Sequence, residues 1–208
     1  MARYVVAAEG SQQGLLFVVS GPAGAGKDVV LRALRRRNKD IHFVVTATTR
    51  PRRRNEVEGR DYYFVSLEAF QQMIARGELL EYAIVHGSHY YGVPKDQVRR
   101  VLAEGRDAIM RIDVQGAATI RAIAPETVFI FLRPASLEEL EQRLRLRDTE
   151  NPQELERRLL DAQREMEEAP KFEYTVVNRN GHLDDAVADI AAIIRAEHCR
   201  TKRRQIVL

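Results

Sequence analysis

Short apolar runs alternate with helical patterns along most of the 208-residue chain. The runs that predict strands cover residues 15–19, 42–46, 62–65, 79–85, 107–113, 127–132 and 174–177. Between them apolar residues recur at helical spacing, as in the last segment with Leu183, Val187, Ile190 and Ile194. Residues 86–91 are turn-prone and predict a loop. The alternation predicts an α/β fold in which a parallel sheet has helices on both faces.

A glycine-rich stretch connects the first predicted strand to the first predicted helix. Residues 20–28 read Ser-Gly-Pro-Ala-Gly-Ala-Gly-Lys-Asp, so Gly21, Gly26 and Lys27 occupy the positions that a phosphate-binding P-loop requires. In such a loop the backbone N–H groups converge on a phosphate, and the N-terminus of the next helix adds positive charge. The motif continues with Ser or Thr, which binds Mg²⁺, but here Asp28 follows the lysine. The stretch therefore predicts a nucleoside triphosphate site with an altered metal position.

Charge and composition exclude several classes of protein. A net charge of +3 and a pI near 9.1 are too mild to demand a polyanionic partner. The basic clusters at 35–37 and 52–54 have no nucleic-acid-reading motif beside them, so we predict no nucleic-acid partner. The apolar run at 4–8 is too short for a signal peptide or a membrane span, and the single Cys199 excludes an intrachain disulfide framework. We therefore predict a cytoplasmic protein without membrane contact.

Arginines concentrate in two further places. One group lies in a polar loop and comprises Arg50, Arg53 and Arg54; the other flanks the turn-prone residues 148–152 and comprises Arg143, Arg145, Arg147, Arg157 and Arg158. Arginine suits bidentate phosphate contacts, and phosphoryl transfer needs mainly positioning and charge neutralisation. The two groups thus predict a donor phosphate at the P-loop and an acceptor phosphate opposite. An equally open interpretation of the helical arginines is that they are solvated partners of nearby glutamates.

Several motifs along the chain occur together in one family. They read Ser-Gly-Pro-Ala-Gly-Ala-Gly-Lys at 20–27, Thr-Ala-Thr-Thr-Arg-Pro at 46–51, Gly-Arg-Asp-Tyr-Tyr-Phe-Val-Ser at 59–66, Glu-Tyr-Ala at 81–83, Tyr-Tyr-Gly at 90–92, Ile-Asp-Val-Gln-Gly at 112–116 and Val-Val-Asn at 176–178. From residue 15 to about residue 196 the chain resembles guanylate kinase, which transfers a phosphoryl group from ATP to GMP. The resemblance implies a P-loop NTPase core, an inserted mixed α+β lobe that binds GMP and a helical lid.

The resemblance also divides the chain into segments. It implies a guanylate kinase-like domain at 14–197, with its core at 14–41, 94–135 and 170–197, the GMP-binding lobe at 42–93 and the lid at 136–169. Residues 1–13 are expected to form a flexible leader, and residues 198–208 a solvated basic tail without an assigned role. The oligomeric state is left open between a monomer and a homodimer.

The resemblance assigns residues of the inserted lobe to the acceptor, GMP or dGMP. Two arginines and two tyrosine hydroxyls would contact the phosphate, and a glutamate beside the arginines would support them. A second glutamate would accept hydrogen bonds from guanine N1 and N2, which adenine cannot donate, and a threonine would donate to guanine O6. The phosphate set is Arg50, Arg53, Glu56, Tyr62 and Tyr91, and the guanine side comprises Thr46, Glu81, Val93 and Asp113.

On the donor side the resemblance assigns ATP to the P-loop. The residues expected to bind it are Gly21, Pro22, Ala23, Gly24, Ala25, Gly26, Lys27 and Asp28, together with Asn178, which would touch adenine. The groups expected to act on the transferred phosphoryl are Lys27, Arg50, Arg143, Arg147 and Arg158. Mg²⁺ is the expected cofactor, carried with ATP, and Asp28 and Asp113 are its candidate protein ligands.

The chain departs from the family pattern at the metal side of the P-loop. Asp28 replaces Ser or Thr, and Arg111 replaces the first acid of an Asp-Ile-Asp pattern, which leaves Asp113. Because these positions normally face each other across the Mg²⁺ site, we predict that Asp28 pairs with Arg111. Alternatively, Asp28 binds the metal while Arg111 meets a phosphate, or Asp28 is only a first-turn acid of its helix. Val93 also removes a hydroxyl from the guanine side, and the loop at 87–90 is one residue longer than usual.

Three functions are compatible with these residues. An active guanylate kinase is favoured because the P-loop glycines, Lys27 and the arginines of both groups are present. A non-catalytic guanylate-kinase-like binding module would be expected to lose these groups. The third possibility is a P-loop kinase for another nucleotide, against which Glu81 and Thr46 argue because they suit guanine.

Overall fold

A five-stranded parallel sheet forms the centre of the part of the chain that the computed structural model describes, residues 13–85, 89–145 and 152–208. Numbered in chain order, its strands lie in the sequence β2 (His42–Phe43), β7 (Ala108–Arg111), β1 (Leu16–Ser20), β8 (Val128–Pro134) and β9 (Tyr174–Asn178). Each neighbouring pair runs parallel. The predicted α/β fold with a parallel sheet is confirmed.

Helices cover both faces of this sheet. One face carries α1 (Lys27–Arg37) and α7 (Leu183–His198), and the other carries α3 (Lys95–Ala103) and α4 (Val114–Ile123). Successive residues of β1 alternate between the two layers, with Phe17 and Val19 in the first and Leu16 and Val18 in the second. All four side chains are fully buried. A strand covered on both faces therefore consists of an unbroken apolar run.

A second sheet, four-stranded within the described residues, forms the inserted lobe. Its strands lie in the order β4 (Tyr63–Phe64), β3 (Ala47–Thr48), β6 (His89–Pro94) and β5 (Leu79–Val85), and α2 (Leu67–Ala75) packs on them. Phe70 of α2 is fully buried against Ala47 and Leu79. Ser66 caps α2, because its Oγ accepts a hydrogen bond from the Ala69 N–H at 3.1 Å.

Two predictions about this lobe are wrong in detail. Of the strand predicted at 42–46, only His42 and Phe43 form a strand, β2, which pairs with β7 in the main sheet. The next strand, β3, begins after the predicted range, at Ala47, and pairs with β4 and β6. The loop predicted at 86–91 belongs partly to β6, whose Tyr90 and Tyr91 pair with Ile84 and Ala83 of β5. Cross-strand pairing sets the strand bounds here, and local propensity does not report it. Residues 86–88, which include the first two residues of the longer loop at 87–90, lie outside the described part.

Two helices stand beside the P-loop in the segment predicted to be the lid. They are α5 (Leu137–Arg145) and α6 (Pro152–Glu167), and Leu140, Leu144 and Ala162 are buried between them. A Cβ added to Gly24 of the P-loop would come within 2.7 Å of the Leu140 side chain, so α5 packs directly against the loop. Arg147, which falls between the two helices, lies outside the described residues.

The C-terminal segment packs onto the domain through Arg204 and Ile206, so the prediction of a solvated tail is wrong for these residues, whereas residues 200–203 are exposed. Arg204 donates a hydrogen bond to Glu197 at 2.7 Å and also contacts Glu173, and its side chain is only 9% exposed. The Tyr174 hydroxyl donates to the same Glu197 carboxylate at 2.5 Å. Ile206 is buried in the core layer of α3 and α4. Arg204 of the basic tail therefore pairs with specific acidic residues, which the charge pattern of the tail does not reveal.

Two other predictions concern the membrane and the leader. Among the described residues, no helix combines the length and apolar character needed to cross a membrane. Residues 1–12 of the predicted leader lie outside the described part, and its last residue, Gln13, donates a hydrogen bond to the Ile206 carbonyl at 2.8 Å. The first described residue is thus held by the C-terminal segment.

Replacing Arg204 with alanine should lower the free energy of unfolding by about 3 kcal/mol, because it leaves the buried Glu197 carboxylate without its main cation. Burial acts to raise the pKa of Glu197, but hydrogen bonds from Arg204 and Tyr174 hold it below its ordinary value. Urea denaturation of Arg204→Ala measures the loss. The exposed Arg203→Ala is the control and should change stability by less than about 0.5 kcal/mol. Equal, small effects would contradict docking of the tail.

Candidate active site

The P-loop joins the end of β1 to the start of α1, as residues 20–28 predicted. Gly21 and Gly26 have φ angles of 138° and 91°, a region that side-chain-bearing residues rarely adopt. A Cβ on Gly21 would lie 2.0 Å from the Leu132 carbonyl oxygen, and one on Gly26 would lie 2.4 Å from Asn178 Nδ2. Both glycines are therefore required, because the loop passes directly against the ends of β8 and β9.

Lys27 and a glutamate of α6 meet at this loop. The Lys27 ammonium donates to the carbonyls of Gly21 and Pro22, the latter at 3.1 Å. The Ala23 N–H donates to Glu165 Oε2, also at 3.1 Å. Burial raises the pKa of Glu165, while the positive charge of Lys27 and the Ala23 N–H act against that rise. Glu165 is not among the residues predicted for the site, because one glutamate in a highly charged helix carries no distinguishing spacing.

A pocket of about 320 Å³ opens beside the P-loop. It is lined by Gly24, Gly26, Val29, Arg143, Asn178, Arg179, Asn180, Gly181 and Leu183. The Asn178 amide donates to the Ala25 carbonyl at 2.8 Å. Arg143 donates to the backbone carbonyl of Asn178 at 2.6 Å, to Asn180 Oδ1 at 2.8 Å and to the Ala25 carbonyl at 3.2 Å. Asn178 and Arg143 thus tie the P-loop to the segment that follows β9.

Asp28 and Arg111 form an ion pair, so the predicted pairing is confirmed. Asp28 lies in the first turn of α1, and Arg111 is the last residue of β7. Arg111 also donates a hydrogen bond to the Tyr62 hydroxyl at 2.5 Å. The Arg111 side chain is 28% exposed and that of Asp28 is 47% exposed, so water screens their attraction. Arg111 therefore links the P-loop helix to the inserted lobe.

A cationic cluster centres on Arg50 in the inserted lobe. Arg50 donates to Glu56 Oε1 at 2.7 Å and to the Tyr91 hydroxyl at 3.2 Å, and its guanidinium lies 5.3 Å from the centre of the Tyr62 ring. Glu56 also accepts a hydrogen bond from the Arg53 N–H at 2.8 Å. Burial acts to raise the pKa of Glu56, but the Arg50 and Arg53 contacts hold it below its ordinary value. Glu56 is thus an anion that fixes the Arg50 guanidinium beside two tyrosines.

Glu81 of β5 is buried where the inserted lobe meets α4, with 6% of its surface exposed. A Cβ on Gly116 would lie 2.9 Å from Glu81 Oε2, so α4 leaves room for the carboxyl group only because this residue is glycine. Asp113 caps α4 by accepting a hydrogen bond from the Gly116 N–H at 2.7 Å. Burial, and then the charge of Asp113, raise the pKa of Glu81 to about 8. A carboxyl group so deprived of water suits a ligand that brings N–H donors.

Residues 13–197 match the sequence profile of a family described as guanylate kinase. The chain belongs to the guanylate kinase family. It is 46% identical over 195 residues to "Guanylate kinase 2, chloroplastic/mitochondrial" of Oryza sativa subsp. japonica. The matched region covers 93% of this chain and 68% of the rice protein. It is 44% identical to the guanylate kinase of Caldanaerobacter subterraneus subsp. tengcongensis over 93% of each chain. The crystal structure of guanylate kinase from Anaplasma phagocytophilum superposes with a TM-score of 0.76 at 32% identity, covering 93% of this chain and 90% of that one.

Within this guanylate kinase domain, the residues predicted for the site fall into several places. Of the residues predicted to bind ATP, Gly24, Gly26 and Asn178 line the pocket beside the P-loop, together with Arg143. Arg50, Glu56, Tyr62 and Tyr91 form the cationic cluster. Arg53 contributes its backbone to this cluster while its side chain is exposed, and Val93 is fully buried in the core layer of α3 and α4. Thr46 is nearly buried, and its carbonyl accepts a hydrogen bond from the Tyr63 N–H at 2.9 Å. Arg158 lies on α6. The ligand roles of these residues stay predictions.

Asp28→Ser and Arg111→Gln should show a coupling free energy of about 0.5–1 kcal/mol in unfolding, because partly exposed ion pairs reach that size. Urea denaturation of both single variants and the double variant measures the coupling, which high salt should reduce. The same cycle on Arg76 and Glu78, a more exposed pair 3.7 Å apart, is the control and should give a smaller value. Strictly additive effects at Asp28 and Arg111 would show that the pair does not interact in solution.

Proposed function

We propose that this chain is an active guanylate kinase that transfers the γ-phosphoryl group of ATP to GMP and yields ADP and GDP. The observation that carries the proposal is that Arg111 contacts both Asp28 of the P-loop helix and Tyr62 of the inserted lobe. The P-loop and the Arg50 cluster are thus one side chain apart, a span that suits two phosphates between which a phosphoryl group moves. Membership of the family supports the same activity.

The donor triphosphate would lie on the P-loop. The N–H groups of the loop and the N-terminus of α1 supply hydrogen bonds and positive charge for its phosphates. Lys27 would leave the carbonyls of Gly21 and Pro22 for phosphate oxygens, since hydrogen bonds between charged groups are stronger. The pocket beside the loop, with Asn178 in its wall, offers space for the nucleoside part of ATP.

The acceptor nucleotide would lie in the inserted lobe. Its phosphate would meet Arg50, which Glu56 already holds in place, and the hydroxyls of Tyr62 and Tyr91. Its guanine would donate from N1 and N2 to Glu81. Adenine lacks this pair of donors and cannot make both hydrogen bonds to the Glu81 carboxylate, a loss of about 1–3 kcal/mol or more. Burial of Glu81 thus supports guanine specificity, and dGMP is expected to react as well because none of these contacts involves the ribose.

Transfer would proceed in line. An oxygen of the GMP phosphate attacks the γ-phosphorus of ATP, and the bond to the β–γ bridging oxygen breaks to release ADP. The chain contributes positioning and charge neutralisation, with Lys27 on the donor side and Arg50 on the acceptor side. The arginines of the lid, Arg143, Arg147 and Arg158, are expected to close on the moving group. Because Arg143 holds carbonyls at the rim of the pocket, its approach to the phosphates would need a movement of α5.

Both candidate protein ligands of Mg²⁺ have partners within the protein. Asp28 is paired with Arg111, and the Asp113 carboxylate caps α4. In the part of the chain that the structure describes, no group of three or more His, Cys, Asp or Glu side chains is arranged to hold a metal ion. We propose that Mg²⁺ is carried by the ATP phosphates and water, which suits an ion that keeps several waters when bound.

Two other functions have less support. A non-catalytic module would not need Lys27 at an intact P-loop together with an ordered Arg50 cluster. A kinase for another nucleotide would not need the buried Glu81. A cytoplasmic location, the lack of a nucleic-acid partner and a monomeric or homodimeric state stay predictions.

A coupled assay of ADP formation tests the proposal. With ATP as donor we expect turnover of GMP and dGMP, and none above background with AMP or UMP. Glu81→Gln should lower kcat/KM for GMP by about 30-fold, because a hydrogen-bonded charge is lost. Glu78→Gln, an exposed residue of the same lobe, is the matched control and should change kcat/KM less than about twofold. No ADP above background with GMP would overturn the proposed function.

The affinity for GMP should increase as the pH is raised from 7 to 8. Glu81 has a pKa of about 8 in the empty protein, so below that pH it must lose a proton before it can accept guanine donors as a carboxylate. The dissociation constant should fall by about fivefold over this unit. Isothermal titration in buffers of different ionisation enthalpy should show proton release on binding. Glu81→Gln should remove both the pH dependence and the release; if it removes neither, Glu81 is not the titrating group.

A further inference from the structure

The Glu165 side chain reaches from α6 onto the P-loop. Its Oε2 accepts a hydrogen bond from the Ala23 N–H at 3.1 Å, although the two residues are 142 positions apart. Ala162, one turn earlier on α6, is buried against Leu140 and Leu144 of α5. The packing of the two helices therefore fixes the side of α6 from which Glu165 extends.

The partners of Glu165 are those that an anionic phosphate would use. The backbone N–H groups of a P-loop bind phosphate oxygens, and its lysine reaches the terminal phosphates. Glu165 accepts from one of these N–H groups and lies close enough to Lys27 for the lysine charge to favour its ionised form. Lys27 itself is turned onto the carbonyls of Gly21 and Pro22 at the same end of the loop.

We propose that the Glu165 carboxylate occupies the place of the terminal donor phosphate, so that ATP must displace it to bind. The proposal rests on the proposed function, which makes ATP the donor. Glu165 thereby sets the affinity for ATP relative to ADP, because ADP lacks the phosphate whose place it takes. Since Glu165 belongs to α6, its displacement also frees this helix from the P-loop at the moment the triphosphate arrives.

The balance of forces on Glu165 makes the displacement feasible. Burial disfavours the ionised carboxylate, and the charges of Asp113 and Asp161 act in the same direction, whereas Lys27 and the Ala23 N–H favour it. On displacement the carboxylate regains water, which offsets part of the lost contact. A triphosphate brings more negative charge and more acceptor oxygens to the same N–H groups and lysine. The contact is therefore one that ATP can replace at a modest loss of affinity.

Binding measured without GMP tests this assignment, because no turnover can then occur. Isothermal titration with Mg-ATP, Mg-ADP and AMP would compare the wild type with Glu165→Ala and Glu165→Gln. We expect Glu165→Ala to lower the dissociation constant of ATP by about threefold to tenfold, that of ADP less than about twofold, and that of AMP not at all. Glu165→Gln keeps an acceptor oxygen for Ala23 but loses the charge, so its effect on ATP should be smaller and of the same sign.

Glu167→Gln is the matched control, because this residue lies on the same helix and is exposed. It should leave all three affinities unchanged. Thermal unfolding of each variant identifies loss of fold, and the conservative glutamine variant keeps the test valid if the alanine variant is unstable. Equal changes for ATP and ADP, or weaker ATP binding in both Glu165 variants, would overturn the proposal. Failure of the proposed function would instead appear as no ADP formation with GMP in the wild type.

Discussion

The carboxyl ends of parallel strands meet at one edge of a sheet, and the candidate site depends on this constraint. β1 ends in the P-loop, and β7 ends at Arg111, two residues before Asp113. Because β1 and β7 are neighbours in register, the first turn of α1 faces the end of β7. The ion pair between Asp28 and Arg111 follows from this geometry. The inserted lobe then joins through Tyr62, which receives a hydrogen bond from the same guanidinium.

This arrangement changes how charge is distributed between the P-loop and the Arg50 cluster. Where the P-loop motif places a hydroxyl, this chain has the ion pair of Asp28 and Arg111. The guanidinium of Arg111 lies between the P-loop helix and Tyr62 of the inserted lobe, and Asp28 balances its charge. A guanidinium with a carboxylate and a phenol as partners is already oriented before any ligand arrives, so little conformational freedom would be lost on binding.

Two carboxyl groups, Glu81 and Glu165, stand in surroundings that disfavour their charge. Burial raises the pKa of both, and Asp113 acts on each in the same direction. Glu197, by contrast, has its pKa held below the ordinary value by hydrogen bonds from Arg204 and Tyr174. Glu197 therefore stabilises the fold. For Glu81 the proposed substrate GMP brings the hydrogen-bond donors, and at Glu165 the proposed substrate ATP takes the place of the carboxylate.

The sequence by itself determined the α/β fold and the P-loop, because each depends on local periodicity or on a motif with defined spacing. The pairing of Asp28 with Arg111 was predicted from the resemblance to guanylate kinase, which places the two positions opposite each other. Tertiary structure decided the rest. The end of β2 at Phe43, before a separate strand of the other sheet begins at Ala47, and the extension of β6 into a predicted loop depend on cross-strand partners. Arg204 docks on Glu197 and Glu173, and Glu165 contacts Ala23 of the P-loop. The local sequences around Arg204 and Glu165 look like ordinary charged surface. Such contacts arise only when packing brings distant segments together and removes their water.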